Sequence, residues 1–497
     1  MFRIQKALFS LITVIFCTAA SMTAPAQETL VLNFDDAIAI AFERSFEVSR
    51  VKSDYLRNSL HVRAQRASLK SYSTLRANVP ALTKSINRYI TSSGDYISVD
   101  TQKETMETNY SISQPIITNG TFSLNFDLLT LNQKGDNRTY KDKLFMKFEQ
   151  PIFTRNQLQK NIWRAEEQFK QTEYNSIDQL LRQYDTFNRL FYDLLRLIKE
   201  IEIDSLIADI TSSAYEESVV QLSEGRIDSS EVLRLEVEYL LNQSRFLGRK
   251  VERYSKELEF KQRSGIDLNR PVHLEAELTV EPVDIDEDFA LEKGLVNRPS
   301  ILRKEIEVEF NRDRIEEVKS YSEFRGSIES TYGIERVDEQ FSNIFQEFDK
   351  TQSFNLNLST PVWDNGRNKY QVEAAVMEYD KTLLELDNDK LSRANEIRRS
   401  LRDVNSSQNR ALTLQRNQER AKEYYDQSIE QFRNNEISAR DLTRALEEYR
   451  NVQNLYLDAF IDFNQAKVQL GRYSLWDFEN NISMTEKYMK YLRTDQQ

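Results

Sequence analysis

Alternating apolar and polar positions in two parts of the chain predict short β-strands. In the first part the alternation covers Phe122–Leu128 and Leu144–Phe148, and in the second part it covers Ile328–Ile334 and Phe354–Leu358. Successive side chains of a strand point to opposite faces, so each of these strands has one apolar and one polar face. A half-buried soluble sheet gives the same pattern. The segments beside these strands, however, offer no compact core for such a sheet to cover.

Each strand region leads through a proline, Pro151 or Pro361, into a segment with a very long helical pattern. No glycine or proline interrupts Gln157–Leu222 or Arg367–Asn434. At the rise of an α-helix, each segment would extend about 100 Å. Rods of this length do not fit inside an ordinary compact domain, and they favour an elongated molecule in which apolar residues form stripes.

Within the helical segments, apolar residues recur at steps of three and four, which is typical of coiled-coil seams. The first seam consists of Leu180, Tyr184, Phe187, Phe191, Leu194, Ile198 and Ile201, and the second of Leu442, Ala445, Tyr449, Val452, Tyr456, Ala459, Phe463, Ala466 and Leu470. The helical pattern breaks at Leu222–Glu231 and at Phe432–Asp441. Gly225 in the first break, and Asn434-Asn435 in the second, allow a tight reversal. We therefore predict one helical hairpin in each half.

An internal repeat relates the two halves of the chain. Pro361 follows Pro151 by 210 residues, and the same offset aligns the two helical breaks. Further upstream, Asp288–Ile301 follows Asp35–Val48 by 253 residues. The difference, 253 − 210, assigns about 43 additional residues to the first half before Pro151. An internal duplication with one insertion accounts for these offsets.

These patterns predict the domain organisation. Glycines are expected to close the returning helix of each hairpin, at Gly265 and Gly471. The predicted segments are a signal peptide over residues 1–26, a first repeat over 27–275 with strands and an insertion at about 78–150, a second repeat over 276–475, and a C-terminal tail over 476–497.

The N-terminus has the composition of a secretory signal peptide. Arg3 and Lys6 precede the apolar run Ala7–Ala20, and small residues ending at Ala26 fit a cleavage site. Cys17, the single cysteine, lies inside the segment to be removed, so neither a disulfide framework nor a thiol nucleophile is expected. A lipid anchor on Cys17 is a weaker alternative, since a bulky residue precedes it. Because no other stretch reaches the ~18 apolar residues of a spanning helix, strands would have to cross a membrane.

Charge and residue types argue against two function classes. The formal net charge is −12, and nucleic-acid binding is disfavoured because phosphate contact needs a basic field. His61 and His273 are the two histidines, and the sequence contains no zinc-protease HExxH motif, Gly-rich phosphate loop or GxSxG elbow. We therefore expect no enzyme activity, no cofactor and no metal site.

Several segments together resemble the TolC-like outer-membrane efflux protein family. They are the opening FDDAIAIAFERSFEV, the QPIF and TPVWDNG segments before the long helices, LVNRPSI at the start of the second half, and LSEGRIDSSEVLRLEVEYL after the first reversal. Each segment alone is too variable a pattern to identify the family, but the order of the segments, repeated in both halves, is specific to this family. The resemblance extends over the whole predicted mature chain.

The resemblance implies an α+β membrane protein built as a homotrimer. In this family, two strand hairpins per subunit form a 12-stranded transmembrane β-barrel, and a long periplasmic α-helical barrel of coiled-coil hairpins continues it. Such a protein lies in the outer membrane of a Gram-negative-type envelope and extends into the periplasm. It is the exit duct of a tripartite efflux or type I secretion system, with a periplasmic adaptor and an inner-membrane transporter as partners. A few strands in lipid also require subunits to combine, because an open sheet edge leaves backbone groups unpaired.

The insertion departs from the family, since it adds a further strand-like segment at Tyr110–Ile116. The strand count per subunit is therefore open. We favour an extra hairpin that extends outside the membrane, and a wider barrel is the alternative.

The resemblance also implies a constriction where the tips of the inner helical hairpins carry polar and acidic residues. The matching constriction positions are Ser230, Glu231, Asp441 and Arg444, and the adaptor-contacting tips are Ser223, Glu224, Gly225, Arg226, Asn434, Asn435 and Glu436. Asp441 matches a family aspartate, whereas Arg444 replaces another. Glu231 and Asp441 also occupy the acidic position of a capping box at a helix start, so helix capping is the competing role for these two residues.

A function from a different class remains as the alternative. The same helices would suit an exported periplasmic coiled-coil scaffold or adaptor with a small soluble sheet and no membrane barrel. That protein would be extracted into buffer without detergent.

Overall fold

A computed structural model describes residues 29–133, 138–296, 298–434 and 436–493. The predicted signal peptide over 1–26, with Cys17, and the tip residue Asn435 lie outside the described residues.

Helices and strands follow the same order in both halves of the chain. The helices are α1 Phe34–Arg44, α2 Phe46–Ala67, α3 Gln157–Ser223, α4 Ser229–Ser264, α5 Glu287–Val296, α6 Pro299–Lys319, α7 Arg367–Arg433, α8 Ala439–Ser474 and α9 Met484–Arg493, with 3-10 turns at Ser320–Ser322 and Asn343–Phe345. The strands are β1 Leu30–Leu32, β2 Tyr72–Ile90, β3 Tyr96–Pro115, β4 Thr121–Gln133, β5 Thr139–Ile152, β6 Val272–Leu274, β7 Arg325–Asp338, β8 Asp349–Ser359, β9 Trp476–Asp477 and β10 Ile482–Ser483. Each half contains two helices, a strand region, a long helix and a returning helix. This order supports the repeat, and the repeat boundaries remain a prediction.

The two long helices end within one residue of the predicted positions. Helix α3 covers Gln157–Ser223 and α7 covers Arg367–Arg433, 67 residues each. Gly265, at φ 73°, ends α4 as predicted. Gly471 does not end α8, because the helix continues to Ser474 and the left-handed residue Leu475 caps it. Within the described ranges, no helix combines the length and the apolar composition needed to span a membrane.

The chain forms two compact units. The first contains the described residues up to Lys52 together with Gln179–Gly294 and Asn395 onward. The second contains Ser53–Asp178 and Leu295–Ala394. Both units are therefore assembled from segments of both repeats.

The core of the first unit is built on the two predicted seams. Every residue of both seams is buried, which confirms the heptad prediction. Tyr425 and Tyr449 stack across α7 and α8 with ring centroids 4.4 Å apart. The hydroxyl of the buried Tyr456 donates a hydrogen bond to the Leu278 carbonyl oxygen at 2.5 Å. The apolar stripes therefore hold the helical hairpins together as coiled-coil seams do.

The segment after residue 475 is packed in the first unit, in contrast to the predicted tail. Strands β9 and β10 pair antiparallel, and Met484, Tyr488 and Leu492 of α9 are buried. The Tyr488 ring lies 4.8 Å from that of Phe42 in α1. The spacing of these three residues, four and four, gives α9 an apolar stripe that explains its packing.

The second unit contains one antiparallel six-stranded sheet with the order β2-β3-β4-β5-β7-β8. The predicted strand segments lie within these strands, except that Tyr110–Ile116 extends one residue past the end of β3 at Pro115. The strand region starts at Tyr72, earlier than the predicted position near 78. The first repeat therefore contributes four strands and the second repeat two, so the insertion adds the β2–β3 hairpin. Its base pairs with β4 from Lys103 to Pro115, whereas the part beyond Lys103 extends past the end of β4.

Register alignment gives the sheet one apolar and one polar face. One row across the apolar face consists of Leu75, Tyr110, Phe126, Leu144 and Ile334, and it ends at Lys350 of β8. The next row, on the opposite face, consists of Arg76, Asn109, Asp127, Lys143, Glu335 and Asp349. In these rows the predicted alternation is thus continuous from β2 to β7, and Lys350 of β8 interrupts it.

Candidate helical tips and inner sheet face

The first helical tip is a tight reversal between α3 and α4. Gly225 has φ 71°, a conformation that favours glycine. The Arg226 amide donates to the Gln221 carbonyl oxygen at 2.9 Å, which satisfies the end of α3. The side chains of Arg226 and Glu224 form an ion pair of 3.0 Å at the surface. The predicted tip residues Ser223, Glu224, Gly225 and Arg226 are all exposed.

Asp228 starts the returning helix α4. Its side chain accepts hydrogen bonds from the amides of Ser230 and Glu231 at 2.8 and 3.0 Å. The Ser230 hydroxyl and these two amides lower the pKa of Asp228. Asp228 itself therefore caps α4. The capping-box interpretation assigned a capping role to Glu231 instead. Glu231 is half-buried in the first turn, so its carboxylate is left for another role.

Ser438 and Asp441 form a capping box at the start of α8. The Ser438 hydroxyl accepts from the Asp441 amide, and the Asp441 carboxylate accepts from the Ser438 amide, both at 3.3 Å. The Ser438 hydroxyl and amide lower the pKa of Asp441, with smaller contributions from the charges of Arg440 and Arg444. Asp441 is therefore an ionised, exposed acid that also caps a helix. A pore-lining role for Ser230, Glu231, Asp441 and Arg444 remains a prediction.

An open groove brings the two tips together in the first unit. Arg226, Ile227 and Glu231 line it from the first tip, and Glu436, Ile437 and Ser438 line it from the second. Asn434 and Glu436 are exposed. Of the four predicted constriction residues, Glu231 lines this groove, whereas Ser230, Asp441 and Arg444 are exposed outside it.

The polar face of the sheet is concave and carries charges of both signs. Lys147 of β5 lies 3.3 Å from Glu149 and 3.3 Å from Glu329 of β7. Glu335 of β7 lies 3.3 Å from Lys141 and 3.6 Å from Lys143. Paired charges of this kind suit a water-filled interior, because water solvates them on the open side. The opposite face also carries charges at one end, where Asp142 aligns with Arg336 and Ile334 aligns with Lys350.

A buried charged network joins three helices of the first unit. Arg450 of α8 lies 3.2 Å from Asp204 of α3, and Arg249 of α4 lies 3.5 Å from the same carboxylate. The Arg450 guanidinium also donates to the Asn242 side chain at 2.7 Å. Burial raises the pKa of Asp204, against the effect of the neighbouring arginines. The network fixes how α3, α4 and α8 pack against one another.

A second buried acid lies in the second unit, where α6 meets the start of α3. Lys160 and Arg164 lie 2.7 and 3.0 Å from the Asp313 carboxylate, and Arg155 forms a further ion pair with it. Burial alone would raise the pKa of Asp313, but hydrogen bonds from Lys160, Arg155 and Arg164 outweigh burial and lower it. This cluster ties the first turns of the long helix to α6.

Sequence reasoning missed both buried acids. A chain with 79 acidic residues gives no means of selecting Asp204 or Asp313. The available signal was weak, since Arg450 directly follows the seam residue Tyr449. His61 is exposed and His273 half-buried. Among the described residues, no group of three or more His, Cys, Asp or Glu side chains is placed to hold a metal ion.

Comparison with known proteins finds a family profile that matches part of the chain. Residues 290–474 match the family profile described as outer membrane efflux protein. This segment covers α6, the strands β7 and β8, α7 and α8. No individually curated protein matches the sequence.

Solved structures share the fold along most of the chain. The CmeC outer membrane channel of Campylobacter jejuni is 13% identical, with a TM-score of 0.69, over 92% of this chain and 89% of that one. The MtrE outer membrane channel of Neisseria gonorrhoeae is 12% identical, with a TM-score of 0.64, over 89% of this chain and 88% of that one. The outer membrane protein VceC of Vibrio cholerae is 12% identical, with a TM-score of 0.61, over 89% of this chain and 95% of that one. Residues 290–474 match the outer membrane efflux protein family and the chain has the fold of these outer-membrane channels, so the predicted resemblance to TolC-like efflux proteins is confirmed.

Proposed function

We propose that this protein is the homotrimeric exit channel of a tripartite efflux or type I secretion system. It passes substrates through the outer membrane, and it performs no chemistry of its own. A periplasmic adaptor and an inner-membrane transporter supply recognition and energy. The proposal rests on the efflux family of residues 290–474 and on surfaces of the single chain that need partners.

The apolar face of the sheet is the observation that carries the proposal. Phe354, Leu356 and Leu358 of β8 are 68, 51 and 53% exposed. Side chains of this size alternate with Asn355 and Asn357 on the polar face. A monomeric soluble protein rarely exposes a contiguous apolar surface of this kind. A lipid-facing sheet with a watery interior uses this alternation over ~9–11 residues per strand.

Two helical stripes support an assembly of several copies. Exposed apolar residues lie at heptad spacing on α4, namely Leu233, Val237, Leu240, Leu247, Val251 and Tyr254. A second stripe with steps of seven lies on α7, namely Tyr370, Met377, Leu384 and Leu391. Exposed apolar stripes of this kind are typical of helices that pack against a further helix. Neighbouring copies of the same chain provide such helices.

The adaptor is expected to contact the helical tips. Ser223, Glu224, Gly225, Arg226, Asn434 and Glu436 are exposed polar or small residues, and Asn435, beyond the described residues, is expected to act with them. The groove between the two tips is a surface on which the end of an adaptor helix could bind. Glu231 and Asp441 are proposed to narrow the pore near these tips.

Membrane fractionation followed by mass determination in detergent tests the proposal. We expect the protein in the outer-membrane fraction, where it resists extraction by buffer, and we expect three chains per particle in detergent. A monomer that enters buffer without detergent would contradict the proposal and would favour the periplasmic scaffold.

A further inference from the structure

The β2–β3 hairpin is part of the same sheet as the other four strands. Thr74 aligns with Ser111 of β3, and Ser111 aligns with Asn125 of β4. The pairing of β3 with β4 continues from Lys103 to Pro115. The base of the hairpin is therefore built into the sheet through a full ladder of backbone hydrogen bonds.

The hairpin base also shares the two faces of the sheet. The Thr74 hydroxyl lies on the polar face, 2.7 Å from that of Ser111. Leu75 lies on the apolar face, in one row with Tyr110 and Phe126. Residues of β2, β3, β4 and β5 together line one concave polar surface that encloses about 530 Å³. A hairpin that only projected from the membrane would need neither the apolar face nor the concave polar face.

The two edges of the sheet are β2 and β8. Since the six strands alternate in direction, β2 and β8 run antiparallel to each other. Edge strands carry unpaired backbone groups, which cannot face lipid. Copies placed around a threefold axis can therefore join β8 of one copy to β2 of the next with the same antiparallel pairing as inside the sheet.

We propose that three copies close an 18-stranded barrel, three times six strands, through pairing of β2 with β8 of the neighbouring copy. This inference rests on the proposed trimer and departs from the 12-stranded barrel that the family resemblance implies. Barrel diameter grows roughly linearly with strand number, so the sheet region would be about half again as wide as with 12 strands. The sheet region is then a wide aqueous vestibule that does not restrict bulky substrates.

The two edges are complementary at this joint. Below the bulge between Asn78 and Ala81, β2 offers Tyr72–Asn78 for pairing. Pro80 lies in the bulge, where its missing N–H donor does not interrupt that segment. A closed barrel requires a stagger of register, so on the polar face Arg76 of β2 would meet the part of β8 that carries Thr351, Ser353 and Asn355. On the apolar face, Leu75 would continue the exposed row of Leu356 and its neighbours.

Cysteine cross-linking between edge strands tests the closure. In a Cys17→Ser background, Thr74→Cys is combined in turn with Ser353→Cys, Asn355→Cys and Asn357→Cys, three successive positions on the polar face of β8. A short bifunctional thiol reagent is then applied to the protein in outer membranes. We expect at least one pair to give covalent dimers and trimers on a denaturing gel.

Ser123→Cys in β4 with the same three β8 partners is the matched control. In the 18-stranded barrel, β4 is paired on both sides by β3 and β5, so these variants should not cross-link between chains. If the control pairs cross-link between chains and the Thr74 pairs do not, β4 is the true edge and the inference is wrong, while the trimer stands. Thr74 cross-links confined to single chains would also overturn it. A protein that stays monomeric in detergent would refute the proposed function itself.

Discussion

Arg450 Nε lies 3.2 Å from Asp204 Oδ1, and the two side chains are only 11 and 5% exposed. The pair joins α8 to α3 inside the helical core. Removal of one member of a buried pair typically costs about 3–5 kcal/mol, and this is an upper bound for Arg450 because Arg249 stays 3.5 Å from Asp204. We expect Arg450→Ala to lower the free energy of unfolding by that order, measured by denaturant unfolding in detergent.

Arg196 and Asp458 supply a matched control, because they join the same two helices at the same 3.2 Å but are 34 and 44% exposed. Surface pairs are worth about 0–1 kcal/mol. Arg196→Ala should therefore have a small effect on unfolding. Equal losses for both variants would show that the Asp204 network has no special role in helix packing.

The two faces of the sheet are tested by arginine substitutions at neighbouring positions of β8. Leu356→Arg places a basic residue on the apolar face, where it costs about 2–4 kcal/mol per subunit at the bilayer midplane. Asn357→Arg places the same residue on the polar face. We expect Leu356→Arg to reduce the amount of trimer in outer membranes strongly and Asn357→Arg to be tolerated. Similar trimer yields for the two variants would mean that the face assignment is wrong.

Glu231 and Asp441 lie at equivalent positions of the two repeats and would supply six carboxylates to a trimeric pore. Crowded carboxylates attract cations. The double variant Glu231→Gln/Asp441→Asn should therefore lower cation selectivity in planar bilayers. Trimer stability should fall little, because Asp228 still caps α4 and the amide oxygen introduced at position 441 still accepts part of the capping hydrogen bonds of α8.

Glu224→Gln is the control for this prediction, since Glu224 is a tip acid that pairs with Arg226. We expect its cation selectivity to match that of the parent. If the double variant conducts like the parent but melts at a markedly lower temperature, capping is the main role of Asp441 and the constriction lies elsewhere in the tips.

Asp313 makes a pH-dependent contribution to stability. Because its pKa in the folded state lies below the usual value of 3.8, its ionised form stabilises the fold at neutral pH. That contribution is present above the unfolded pKa and is lost as the pH falls through the folded pKa. Asp313→Asn should lower the melting temperature at pH 7, and its difference from the parent should shrink below about pH 4.

Glu316→Gln, on the same helix, removes a surface pair of 3.1 Å with Lys319. This variant should melt close to the parent at each pH. A constant difference between Asp313→Asn and the parent from pH 7 to 3 would contradict the assigned role of the carboxylate.

The sequence predicted those parts of the fold that depend on periodicity and on chain breaks. Seam residues such as Phe191 and Phe463 are buried because heptad spacing places them on one helix face, which packs against the partner helix. The bounds of α3 and α7 followed from the absence of glycine and proline, and Gly225 marked a reversal. Strand faces followed from alternation, which register pairing then extends across the sheet.

Other features could not be predicted, because they depend on residues far apart in the chain. The three charged partners of Asp313 meet it only after α6 packs against the start of α3. Strand pairing decides that Tyr72–Ile90 joins the sheet, and alternation in this segment is interrupted at the bulge. Helix capping at Asp228 rather than Glu231 depends on local backbone geometry that two residues with similar side chains do not distinguish.

Recording of single-channel currents tests the central claim most directly. The protein, purified from outer membranes in detergent, is inserted into planar bilayers of defined lipid. We predict discrete, uniform current steps that appear as single trimers insert. A preparation of folded protein that leaves the bilayer sealed at every voltage would contradict the account of this protein as a channel.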